Sequence, residues 1–154
     1  MTNDQLQMWV ERISLQYFNR AFIHKATFNA RLRTTGGRYF THSHNIEINP
    51  SQHESFGVEE TEKIIKHELC HYHLHLLKRG YKHQDQDFKL LLKQVGGARY
   101  CQSIPGVKRT THAYKYELIC KECGFVYKRK RKVDVRKYRC GKCGGKLFLK
   151  TLDN

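Results

Sequence analysis

His67-Glu68-Leu69-Cys70-His71 stands near the middle of the 154-residue chain. It is an H-E-x-x-H pattern. The apolar positions around it (Ile64, Ile65, Leu69, Leu76 and Leu77) predict a helix that ends near Gly80. A helix turns about 100° per residue, so side chains four apart point nearly the same way. Two imidazoles so placed can reach one Zn²⁺ at about 2.0–2.1 Å. Glu68 lies beside them, where a carboxylate can act as general base on a water whose pKa zinc has lowered toward about 7.

A catalytic zinc needs a third protein ligand. His75 continues the i, i+4, i+8 series, but i and i+8 lie about 12 Å apart along a helix axis, beyond the reach of one ion. The ligand must come from chain that has turned back. Gly80 permits the turn and His83 follows it, with Asp85 and Asp87 as carboxylate rivals; His83 is preferred. Leu74 and Leu77 stand where a metzincin carries Gly and His, which excludes that class. Among the other histidines (His24, His42, His44, His53, His73, His75, His112), His44 is the best candidate for a site role, on a strand expected to border the cleft. Cys70 should be a small buried hydrophobe.

N-terminal to this helix, Leu6, Trp9, Val10, Ile13 and Tyr17 recur at helical spacing, with Thr2 or Asn3 as cap. Alternation predicts strands over 26–33, 38–41 and 46–49, with Thr34-Thr35-Gly36-Gly37 as a turn and Pro50 as a stop. These form a small, mostly antiparallel sheet. Residues 55–58 read as a loop, with Glu59, Glu60 and Glu62 opening the metal helix. A further helix, about 85–95, carries Phe88, Leu91, Leu92 and Val95 and ends at Gly96-Gly97. Residues 98–113 are irregular and contain Pro105-Gly106.

A second constellation follows. Cys120-x-x-Cys123 and Cys140-x-x-Cys143 have the spacing of a four-thiolate structural zinc site, each knuckle followed by glycine. Cys101 falls outside this pattern. Between the knuckles lies Lys128-Arg129-Lys130-Arg131-Lys132. On a strand this run puts charge on both faces, so the hairpin must project into solvent, with Phe125, Tyr127 and Tyr138 near enough to stack on bases. The net charge of +15 is uneven: +4 over residues 1–99 and +11 over 100–154. Such a block points to a polyanion, with nucleic acid (DNA before RNA) as partner through phosphate contacts. No run of eighteen apolar residues exists, so no membrane partner is expected. The first residues lack a signal peptide's basic and apolar regions, which points to the cytoplasm, where cysteines bind metal rather than pair.

The His67–His71 motif, Lys82-His83, Asp87-Phe88 and the helix after them resemble the SprT-like family. That family includes the SprT domain of Spartan, a DNA-dependent metalloprotease, and its bacterial members often carry a zinc ribbon. The resemblance extends over the helical N-terminus, Ser43–Asn49, the metal helix and the ribbon. It implies that His67, His71 and His83 hold zinc and that Glu68 is the catalytic base. One departure is Gln84-Asp85 after His83, where the family often has Gly. The expectation is an α+β zincin-like domain (1–99), a linker (100–113) and a zinc-ribbon module (114–154), with one catalytic and one structural Zn²⁺. The expected function is a zinc metallopeptidase acting on protein in a nucleic-acid setting, its substrate paired with the strand at 46–49. The rival is a non-catalytic, transcription-associated nucleic-acid-binding protein.

Overall fold

A computed structural model describes residues 1–108 and 111–153, and the chain divides into two compact units, Met1–Arg109 and Thr110–Asn154. The first unit opens with α1 (Asn3–Phe18). Thr2 caps it: its hydroxyl accepts from Gln5 N–H, while the Gln5 side chain accepts from Thr2 N–H. Leu6, Trp9, Val10 and Ile13 are buried as the spacing requires. Tyr17 is not. Its ring lies on the surface beneath the Lys66 ammonium, 3.5 Å from the centroid, and Lys66 is itself paired with Glu62 at 2.9 Å.

Three short strands follow: β1 (Ala26–Phe28), β2 (Gly37–Tyr39) and β3 (Ile46–Ile48), in the order β1-β3-β2. The expectation of a mostly antiparallel sheet fails for this unit. β3 pairs antiparallel with β2 but parallel with β1, because the long 29–45 connection carries β2 to the far edge. β1 also stops five residues early. Asn29 accepts Arg31 N–H on its side chain and donates to Glu47, which turns the chain away. Gly37 begins a strand instead of closing a turn.

Pro50 does not merely stop β3. It is the first residue of α2 (Pro50–Leu76), where its missing N–H costs nothing, and the Asn49 side chain accepts from Ser51 N–H as the cap. The expected 55–58 loop shrinks to one non-helical residue, Gly57, with φ 80° and ψ −165°, a conformation that favours glycine. The glutamates at 59, 60 and 62 follow that break. The helix closes at Leu76, short of Gly80, and α3 (Gln86–Val95) packs against it, ended by Gly96 at φ 71°.

α2 is buried on two faces. Ile64, Ile65, Leu69 and Tyr72 join α1 and the sheet in one core; Cys70 and Leu74 join Phe88, Leu92 and Val95 in another. A polar tie spans α1 and α2. Ser14 Oγ donates to Arg20 carbonyl at 2.7 Å, so at 2.7 Å it must accept from His73 Nε2–H. Burial holds His73 neutral, with a pKa down to about 4.

The second unit is an antiparallel sheet of β4 (Tyr116–Cys120), β5 (Val126–Arg129) and β6 (Leu147–Thr151), ordered β5-β4-β6. Its core is slight: Leu118, Leu147 and two of the cysteines. No helix of the described residues is long and apolar enough to cross a membrane.

Ile65 is fully buried, whereas Leu90 on α3 is largely exposed. Ile65→Ala should destabilise the first unit by about 2–5 kcal/mol, and Leu90→Ala by no more than about 0.5 kcal/mol. Urea unfolding followed by Trp9 fluorescence tests the contrast, which equal midpoints for the two variants would contradict.

Candidate metal centres

The third face of α2 presents His67, Glu68 and His71 to a cleft of about 690 Å³. His83 enters from the turn between α2 and α3. The three Nε2 atoms lie 2.9–3.1 Å from one another. Two backbone carbonyls fix their orientation: His67 Nδ1 meets Ala98 O at 2.6 Å, and His71 Nδ1 meets Tyr81 O at 2.6 Å. A carbonyl only accepts, so both protons sit on Nδ1 and both Nε2 lone pairs are bare, facing each other at 3.1 Å. Both lone pairs point into the space that His83 Nε2 also faces, where one cation can meet all three nitrogens. Three nitrogens at the corners of a zinc tetrahedron would be roughly 3.3 Å apart, so the set fits Zn²⁺. Burial depresses His67 and His71 to pKa values of about 4 and lowers His83 as well, so all three are neutral, as ligation demands.

The rival carboxylates have other work. Asp87 accepts from Gly80 N–H and Asp85 from Lys82 N–H, both at 3.0 Å. Together they fold the 80–85 turn that delivers His83. Gly80 itself has no room for a side chain, since a Cβ there would sit 2.8 Å from Asp85 Cβ.

Glu68 lines the same cleft. Burial alone pushes its carboxyl up to about 8, with no charged partner offsetting it. β2 passes close above it: a Cβ on Gly37 would lie 3.0 Å from Glu68 Cγ. β2 is the sheet edge on the cleft, and Gly37, Arg38 and Tyr39 all line it. The expectation that the 46–49 strand receives substrate is therefore corrected. β3 is hydrogen-bonded on both sides and has no free edge. His44 is not on a strand and does not line the cleft. It sits at φ 60° in the β2–β3 turn, with its Nδ1 2.7 Å from the Tyr39 hydroxyl.

Sequence reasoning missed four contributors. Ala98 and Tyr81 act through carbonyls, which no side-chain pattern reveals. Phe88, expected only as core, stacks on His71 at 4.4 Å and walls in all three imidazoles. Gly97 runs tight against α2: a Cβ there would come 2.5 Å from Leu92 Cδ1 and 3.3 Å from Lys66 Cβ. The Gly96-Gly97 pair was the one available signal, and it was absorbed as a helix stop. Cys70 is buried as expected, and burial raises its thiol pKa.

In the second unit the Sγ atoms of Cys120, Cys123, Cys140 and Cys143 lie within 4.8 Å of one another, with Cys120–Cys143 at 3.4 Å and Cys123–Cys140 at 3.7 Å. A tetrahedral four-thiolate zinc site would space them roughly 3.8 Å apart, so this set fits too. The knuckles match each other. Gly124 N–H returns to Cys120 O at 3.0 Å and Gly144 N–H to Cys140 O at 2.8 Å, with both glycines at positive φ, 73° and 76°. Tyr127 is part of this frame rather than a free stacking surface: its hydroxyl accepts from Gly141 N–H at 3.0 Å and lies 3.4 Å from Cys140 Sγ. Phe125 and Tyr138 remain exposed. Lys128, Arg129, Lys130, Arg131 and Lys132 are all exposed, but the strand ends at Arg129, so the alternation expected through 132 stops there.

The clearance at Gly97 generates a test. Gly97→Ala should displace the Ala98 carbonyl from His67 and weaken metal binding about 10–100-fold, the usual effect of losing a partner that orients a ligand. Competition with a chromophoric chelator measures this, and unchanged affinity would mean the carbonyl is not needed.

The SprT-like family model matches residues 6–138. The chain is 55% identical over 151 residues to a Geobacillus sp. (strain WCH70) protein named Protein SprT-like, covering 97% of this chain and 96% of that one. It is 53% identical over 147 residues to the Bacillus cereus (strain B4264) protein of the same name (96% and 95% covered), and 51% identical over 149 to that of Bacillus anthracis (strain A0248) (97% and 97%). No solved structure matches. A family match over most of the chain, relatives above half identity along nearly its whole length, and a histidine triad beside Glu68 agree: the chain belongs to the SprT-like family.

Proposed function

We propose that this protein is a zinc metallopeptidase of zincin type that hydrolyses protein substrates bound near nucleic acid in the cytoplasm. The observation that carries the reading is the convergence of three neutral, correctly oriented imidazoles with the Glu68 carboxyl in one cleft. A zinc ion held there supplies Lewis acidity toward a carbonyl oxygen and toward water. Everything else falls to the chain. His67, His71 and His83 hold the metal, and Ala98 O and Tyr81 O keep two of them aimed. Glu68, beside the ligands but not among them, takes the proton of the attacking water as its carboxylate and returns it to the departing amine. The free edge of β2 receives an extended substrate by strand addition across the cleft from α2.

The second unit, in this reading, is a zinc ribbon whose structural metal replaces the core it lacks. Its exposed basic run contacts phosphates without reading sequence.

Metal-replete protein should hold two zinc ions per chain. Glu68→Gln should keep both and lose about 10²–10⁴-fold in peptide hydrolysis; His83→Ala should lose one zinc. Elemental analysis and a cleavage assay with and without DNA read both outcomes. Undiminished cleavage by Glu68→Gln would remove the peptidase reading. Nucleic-acid binding without cleavage of any protein would favour the non-catalytic rival.

Nucleic-acid affinity should fall with salt with a log–log slope of about −0.7 to −0.9 per phosphate contact. Neutralising residues 128–132 in the full chain should flatten that slope. An unchanged slope in a titration at several salt concentrations would place the contacts elsewhere.

A further inference from the structure

The charge lining the cleft is lopsided. Among the described residues that line it, Glu68 is the one acidic side chain, and it is buried, whereas Arg38, Lys82 and Arg99 are exposed. Arg38 is already engaged: Nε meets Glu47 at 2.7 Å, and its guanidinium lies 4.7 Å over Phe40. Lys82 and Arg99 are different. Among the described residues neither side chain has an ion pair or hydrogen bond, and Arg99 rests only on the Tyr100 ring at 4.4 Å.

Their positions along the chain fix where those charges stand. Arg99 directly follows Ala98, whose carbonyl holds His67, and Lys82 lies between Tyr81, whose carbonyl holds His71, and His83 itself. The backbone segments that aim the triad therefore also carry the two unengaged cations, and both residues line the cleft. A solvated guanidinium with a planar fork is a receptor for carboxylate, and the ammonium is a second point of attraction.

We propose that Arg99 and Lys82 make the cleft selective for substrate carboxylates close to the bond presented to the metal, so that acidic peptide segments are its preferred substrate class. This rests on the peptidase reading for the meaning of selectivity, but its binding arm does not. A carboxylate can come from an Asp or Glu side chain or from a peptide's C-terminus, and the probes separate these sources.

The test uses the full-length, zinc-loaded chain and three families of unstructured, fluorescent decapeptides. The first is C-terminally amidated with Asp and Glu near the centre. The second is its amidated Asn and Gln isostere. The third is that isostere with a free C-terminus. Affinity is measured by anisotropy on zinc-loaded Glu68→Gln, so that no turnover is required, and kcat/KM is measured on the parent. Acidic peptides should bind about 5-fold more tightly than the isosteres, a factor at the upper end for one exposed ion pair, with the preference appearing in KM and fading with salt. Arg99→Gln and Lys82→Gln should each shrink the acidic-to-neutral ratio, Arg99→Lys should restore part of it, and the double Gln variant should bring it near one. Zinc content is checked in every variant. A gain confined to the free C-terminus would assign the receptor to terminal carboxylates. Equal affinity for all three peptide families, or a ratio untouched in the double variant, would overturn the inference. Selective binding without hydrolysis would instead count against the peptidase reading alone.

Discussion

Two hydrogen bonds of 2.6 Å, from the Nδ1 atoms of His67 and His71 to the carbonyls of Ala98 and Tyr81, decide what the rest of the first unit must accomplish. They commit both rings to a single tautomer and leave two bare lone pairs face to face. With His83 Nε2 2.9 Å from each, three ring nitrogens converge on one point that a cation can share. The two cores on either side of α2 must hold that convergence in place. Metal binding and local order are linked for that reason.

That requirement explains features that look incidental. α2 must be buried on two faces so that its third can carry polar groups without the helix shifting. Gly97 has to be small so that the strand of chain after α3 can lie against Lys66 and His67 and bring Ala98 O within reach. Gly37 has to be small so that the sheet edge can pass over Glu68 and still leave that carboxyl a dry environment, the sole cause of its raised pKa. Asp85 and Asp87 are spent on backbone N–H groups of the turn, which leaves His83 as the candidate ligand that turn presents.

Much of this was legible in the residues. Helical spacing placed α1, α2 and α3, the H-E-x-x-H pattern pointed to two members of the histidine cluster, and the doubled C-x-x-C pointed to the cysteine cluster. What escaped had physical causes. The parallel pairing of β1 with β3 arises from a seventeen-residue connection (29–45) whose path no local pattern encodes. Pro50 and Ser55–Val58 were read as breaks, because proline and glycine favour turns equally well in a helix's first position or at a kink; the capping Asn49 decides between them. The carbonyl partners could not be seen at all, since every residue has a carbonyl and only tertiary structure selects which two are used. Tyr127 was misjudged for a related reason. Its aromatic ring suggested stacking, but its hydroxyl serves Gly141 and sits against Cys140.

The two units put their candidate metals to opposite uses. In the first, apolar cores exist without the ion, and the histidine triad lies at the edge of a cleft with an accessible side. In the second, two of the four buried core residues are themselves cysteines of the candidate metal set, so without an ion the sheet would rest on Leu118 and Leu147 and on the half-buried Tyr127, Val133, Val135 and Leu149. A small sheet carrying so much positive charge has every electrostatic reason to expand. Four thiolates around Zn²⁺ would contribute a net −2 at its centre, offsetting part of that repulsion while cross-linking both knuckles. An ion held there would do for Thr110–Asn154 what Leu69, Tyr72 and Phe88 do for the first unit. That division leaves the basic run at 128–132 free to remain fully solvated, because no part of the fold depends on burying it.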